Sequence, residues 1–129
     1  MSALLPEGRN DVVRGIAAEV ALDAVPAADV VSGEPRQGTL ELGGIAGAAL
    51  GIWELRGGVV TDTEVDEFFV VLSGGATIEL LGGPEIDNGT VAAGTAIEVG
   101  PGDTMRLVAG TQTRWTVEDH IRKVYIAEA

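Results

Sequence analysis

Residues 66–74 read Asp66-Glu67-Phe68-Phe69-Val70-Val71-Leu72-Ser73-Gly74. The run from 68 to 72 is apolar without a break, as in a strand buried on most of both faces. Gly74 gives the backbone freedom for a tight turn at its end. Working outward, further short apolar segments lie between turn signals. Strands are predicted over 51–55, 76–81, 96–99, 104–108, 113–117 and 122–127, with a weaker one over 39–42. The turn signals are Gly43-Gly44, Gly57-Gly58, Gly74-Gly75, Gly82-Gly83-Pro84, Asn88-Gly89, Gly100-Pro101-Gly102 and Ala109-Gly110. Many short strands at this spacing mark an all-β sandwich or barrel.

The chain has 129 residues, room for one domain with a proper core. Residues 32–129 are read as the barrel and 1–31 as an N-terminal arm. In that arm Val12, Val13, Ile16 and Val20 sit at near-helical spacing, while 19–25 alternates and ends at Pro26, so a short helix and an edge strand are both open. Eight basic against 20 acidic residues give a net charge of −12. Such a surface repels nucleic-acid phosphates and anionic lipid and acts as a solubility device. No dense acidic run marks a site for cationic partners. Residues 1–10 do not read as a secretory signal, and nothing reads as a membrane span. With no Cys in the chain, these features predict a reducing, cytoplasmic setting. Asn88-Gly89-Thr90 is read as a turn rather than a glycosylation site.

Two groups of motifs carry a family resemblance. The first is Trp53-Glu54, Gly57-Gly58 and the run 66–74. The second is Gly100-Pro101-Gly102-Asp103, Ala109-Gly110, Arg114-Trp115-Thr116-Val117 and Ile121-Arg122-Lys123-Val124-Tyr125. Together, over about 32–126, they resemble the small single-domain cupins related to the ethanolamine-utilisation cupin and the ureidoglycine aminohydrolases. The resemblance implies a cupin-type double-stranded β-helix, or jelly-roll barrel, and a homodimer. It also implies a metal cage of two His and a Glu from the first motif and a His from the second. Here Glu67 matches the Glu by its distance to Gly74. The two preceding positions fall on Val60 and Asp62 or on Thr61 and Thr63, and the last His falls on Thr113. No transition metal and no other cofactor is therefore expected.

The remaining candidates are weighed against structural roles. Glu67 is a candidate acid or base, or a carboxylate bonded to Arg106, Arg114 or Lys123, because an unpaired buried charge is costly. Trp53 and Trp115 form a ligand wall or fill the core. Lys123 and Tyr125 bind a ligand through alternate side chains or pair within the barrel. His120, beside Asp119 in an expected turn, is read as a surface residue. Gly43-Gly44-Ile45-Ala46-Gly47 lacks the Lys-Ser/Thr of a phosphate loop. One His and no Cys are read as leaving no nucleophile triad.

The leading expectation is a barrel that binds an unidentified small molecule without a transition metal. Its site comprises Trp53, Asp62, Glu67, Thr113, Trp115, Lys123 and Tyr125. One alternative is an enzyme of the aminohydrolase or isomerase kind, with Glu67 and either Tyr125 or Lys123 as the proton-transferring pair. The other is a degenerate barrel serving as a structural or interaction module.

Overall fold

A computed structural model describes residues 3–83 and 94–128. The strands are β1 (Asp23–Ala24), β2 (Val30–Ser32), β3 (Arg36–Ile45), β4 (Ala48–Thr63), β5 (Glu67–Gly74), β6 (Ala76–Gly82), β7 (Ala96–Val99), β8 (Thr104–Leu107) and β9 (Gln112–Glu128). All pairings are antiparallel. Among the described residues the only helical element is a 3-10 turn at Ala27–Asp29. The helix considered for the arm does not form there; a chain turn at 14–18 takes its place, and β1 realises part of the edge-strand alternative. The Asn88-Gly89 turn and Pro84 lie outside the described residues. No helix of the described residues is long and apolar enough to cross a membrane.

Two strands organise everything else. β4 and β9 pair along nearly their whole length, from Ala48↔Glu128 to Thr63↔Gln112. Each runs through two sheets. The first half of β4 and the second half of β9 join β1, β3, β5 and β8. The other halves join β2, β6 and β7. The result is the jelly-roll barrel of a cupin. Turn signals at Gly57-Gly58 and the polar residues 118–121 predict breaks in both long strands. The structure instead has an irregularity in a continuous ladder, with the register shifting between Arg56 and Gly58. Gly57 and Gly58 have φ of +46° and +142°, values that glycine adopts without strain. Gly57 of β4 stands there against two residues of β9, Glu118 and Asp119, and the inward parity of β4 changes across the irregularity while that of β9 is kept. Trp53 and Leu55 face inward before it, and Val60 and Asp62 after it. Gly43-Gly44 lies within β3, and the hairpin closes at Ala46-Gly47.

The turn at Gly100-Pro101-Gly102-Asp103 has the chemistry its residues suggest. The Asp103 carboxylate accepts from Gly100 N–H at 2.9 Å, and Asp103 N–H donates to Gly100 O at 3.0 Å. Between the sheets, one end of the barrel is filled by Leu55, Phe69, Val71, Ile78, Leu107, Val117 and Ile121. The other end holds polar side chains around an open space.

The outer face of the first sheet is not bare. Arm residues cover Leu42 and Ile52, and Leu5 N–H donates to Leu42 O at 2.7 Å. Under the arm, Arg122 donates to Glu54 at 2.8 Å and to the carbonyls of Gly15, Ile16 and Ala18. Arg56 donates to the other oxygen of Glu54 at 2.7 Å. Burial alone would raise the Glu54 pKa, but the guanidiniums of Arg122 and Arg56 outweigh it and hold the carboxyl below its ordinary value.

Candidate functional site

Strand alternation delivers the site. Residues 113, 115, 123 and 125 of β9 point inward with the same parity, and Val60 and Asp62 stand opposite Trp115 and Thr113. Of these, Trp115, Lys123, Tyr125, Val60 and Asp62 line a cavity of about 330 Å³, whereas Thr113 is fully buried and does not reach it. Its deep wall is aromatic. Trp53 and Trp115 meet edge to face at 5.5 Å, and Phe69 lies 5.9 Å from Trp115. Tyr125 closes one side. Its cross-strand partner is Gly51, where an added Cβ would lie 2.3 Å from the Tyr125 hydroxyl. Glycine at 51 therefore leaves the space that the phenol occupies. Burial raises the Tyr125 pKa, and the nearby Glu41 and Glu67 raise it further.

The Lys123 ammonium sits at the focus of these rings. It lies 4.6 Å from the Trp53 and Phe69 centroids and 4.9 Å from Trp115, within the range at which a cation is attracted to ring faces. It donates to Glu67 Oε2 at 2.5 Å, and both side chains are nearly buried. Lys123 is thus the cation that Glu67 needs. The other two named for that role lie elsewhere, Arg106 nearest Asp66 at 3.9 Å and Arg114 nearest Glu79 at 3.8 Å.

A residue that sequence reasoning missed completes the inner surface. Glu64 follows the end of β4 and is 6% exposed. Its Oε2 accepts from the Thr113 hydroxyl at 2.6 Å and from the Trp115 indole N–H at 3.1 Å. Among the described residues, no donor reaches its Oε1. Burial dominates its titration and raises the pKa. The Thr113 hydrogen bond opposes this rise, Asp62 adds to it, and Lys123 and Trp115 lower the pKa least. Thr113, treated above as a ligand contact, is thus engaged with Glu64. Asp62 and Asp29 stand at the rim. The Asp62 carboxyl is also shifted upward, first by the surrounding protein and then by Asp29 and Glu67.

A transition-metal cage does not fit these donors. Of the positions suggested for it, Val60 offers no donor atom, the Thr113 hydroxyl is given to Glu64, and Glu67 is bonded to an ammonium whose charge opposes a divalent ion. Among the described residues no three His, Asp or Glu side chains gather in a metal-binding arrangement.

His120 differs from its expected surface role. It lies within β9, half-buried, with Nε2 3.1 Å from Ser73 Oγ and Nδ1 2.6 Å from Asp119 Oδ2. Adjacent residues do face each other here, and a Ser–His–Asp row exists where the sequence reading allowed none. The row does not amount to a hydrolytic centre. The Asp119 side chain is 84% exposed, and the nearby Gly75 N–H is bonded to His120 O rather than free to hold an oxyanion. It pins the β5–β6 turn to the bend of β9.

Comparison with known proteins places the chain. The EutQ-like cupin domain family matches residues 43–125. The structure is similar to the EutQ protein of Clostridium difficile, with a TM-score of 0.64 at 15% identity, covering 91% of this chain and 85% of that one. It is similar to a Pseudomonas syringae protein of unknown function, with a TM-score of 0.66 at 19% identity, over 86% of this chain and 45% of that one. A putative ethanolamine utilization protein from Salmonella typhimurium gives a TM-score of 0.55 at 14% identity, over 85% and 95%. A search of curated proteins finds no match.

Proposed function

The chain belongs to the EutQ-like cupin family, and from that premise we propose that its barrel binds a small organic molecule without a transition metal. The observation that carries the reading is the Lys123–Glu67 pair inside an aromatic cavity of about 330 Å³. An ammonium occupies the neighbourhood of the one carboxylate that matches the family's metal-binding Glu. Trp53, Trp115 and Tyr125 supply apolar contact, and Asp62 and Glu64 supply polar direction. A cavity of that size has room for a small metabolite.

A thermal-shift screen of small metabolites tests this, since a ligand that binds only the folded chain raises its midpoint by mass action. Elemental analysis of the purified protein runs beside it. Stoichiometric Mn, Fe, Ni, Cu or Zn would overturn the metal-free reading, and a screen without stabilising compounds would overturn binding.

A second reading, catalysis, is favoured by one observation. Glu64 is a buried carboxyl with a raised pKa and an oxygen open to the cavity, the direction in which a general acid is shifted. Under this reading Glu64, rather than Glu67, carries the proton. Glu64→Gln would abolish turnover while leaving binding in place.

We also propose that the chain forms a homodimer. Phe68 and Ile126, cross-strand partners on the outer face of the first sheet, are both exposed, and covering such a pair is a common use of a partner surface. Sedimentation of the purified chain should give twice the monomer mass.

A further inference from the structure

The acidic residues of this chain are scattered in sequence, but the fold concentrates four of them around one space. Asp29, Asp62, Glu64 and Glu67 all line the cavity, and among the described residues Lys123 is the only Lys or Arg that lines it. One ammonium cannot balance four carboxylates. Two further features show that the imbalance faces a ligand space rather than bulk water alone. Glu64 is more than nine-tenths buried, yet its Oε1 has no donor among the described residues. The Lys123 ammonium takes the ring faces of Trp53, Phe69 and Trp115, at 4.6 to 4.9 Å, so the place left for a further monovalent cation is beside Asp62 and Glu64, against the remaining indole surface of the cavity wall. Ring faces stabilise positive charge through their quadrupoles, and more strongly where water is excluded.

We propose that the ligand of this barrel is a small organic cation, a protonated amine or quaternary ammonium, received by Asp62 and Glu64 against the indole walls. The proposal rests on the binding function inferred above and narrows its ligand class. The cation would supply the counter-charge that Lys123 alone does not. The chain's net charge of −12 would also draw cations rather than anions toward the mouth. The requirement is for charge and size, so an uncharged molecule of the same shape should bind poorly.

The chain carries its own reporter, because its two Trp residues both line the cavity. Intrinsic fluorescence is titrated with choline and n-butylammonium, with the uncharged choline isostere 3,3-dimethylbutan-1-ol, and with butyrate. The cations should bind at least about tenfold tighter than the isostere, as ring–cation and carboxylate contacts together imply. Asp62→Asn should weaken the cations several-fold and leave the isostere unchanged. Asp62 is exposed at the rim, so this variant should fold. Equal or tighter binding of the isostere or butyrate overturns the cation assignment and leaves the binding cavity standing. Failure of both cations to bind, while other compounds stabilise the fold in the metabolite screen, also overturns the assignment alone. If no compound binds in either experiment, the binding function itself falls with it.

Discussion

Two groups of carboxylates lie on opposite faces of β4 and β9, each with a buried member. On the outer face, Glu54 stands opposite Arg122 and takes a second guanidinium from Arg56, two cations to one carboxylate. The Nη1 of Arg122 donates to the arm carbonyls. On the inner face, Lys123 answers for four carboxylates. Arg122 and Lys123 are neighbours in sequence and point to opposite sides of one strand. The outer group is closed and satisfied, which is what a clamp requires. The inner group is open and short of positive charge, which is what a receptor for a charged molecule requires. Charge balance, rather than burial, separates the two, since Glu54 at 4% exposed and Glu64 at 6% are equally enclosed.

The largest effect should come from breaking the clamp. Arg122→Met leaves Glu54 with one half-exposed partner and frees the arm carbonyls. Removing one member of a buried pair costs about 3–5 kcal/mol, so urea unfolding should shift by that order and the arm should become sensitive to protease. Lys123→Met should cost less, about 1–3 kcal/mol, because the cavity opens to solvent. Equal losses for the two variants would erase the distinction drawn here. Next, Gly51→Ala should cost about 1–3 kcal/mol by forcing the Tyr125 ring aside. A change in indole fluorescence should accompany it, since the ring is part of the cavity wall.

The two carboxyls should also titrate with opposite sign. The folded pKa of Glu54 lies below its ordinary 4.5, so the unfolded chain binds more protons in that window. Stability carried by Glu54 is present above pH 4.5 and is lost as pH falls through the folded value. The folded pKa of Glu64 lies above 4.5, so the folded chain holds the proton longer. Its contribution is present below pH 4.5 and is lost as pH rises through the folded value. Comparing Glu54→Gln and Glu64→Gln with the parent by denaturant unfolding across pH should remove these slopes one at a time. Slopes of the same sign would contradict the electrostatic contrast. The smallest change is expected for Asp62→Asn, within about 0.5 kcal/mol, because the side chain is at the rim.

Much of the fold was legible. The strands around 67–72, 76–81, 96–99 and 104–108 follow from short apolar runs set between turn residues, and the structure has strands at each. The continuity of β4 and β9 was not legible. Gly57-Gly58 and the polar residues near His120 look locally like turns, and only the antiparallel partner shows that the chain continues straight through. In the site, Lys123 could be named as a partner of Glu67 because charge logic demanded one. Glu64 was overlooked because Thr63-Glu64-Val65-Asp66 reads as a polar loop. The available signal was the period of two in Val60, Asp62 and Glu64, which continues the inward face past the strand's end. Thr113 matched a ligand position in sequence, but its hydroxyl serves the carboxyl of Glu64.

The shared strands also bear on how the chain reaches this state. The ladder Ala48↔Glu128 to Thr63↔Gln112 joins segments separated by nearly the whole barrel sequence. β9 is synthesised after every strand it pairs with, so neither sheet can close on a ribosome until it emerges. Loop closure over such separations slows folding. Once formed, the two sheets have no independent edge along which to part, so the backbone amides of both should exchange with deuterium through a single global opening.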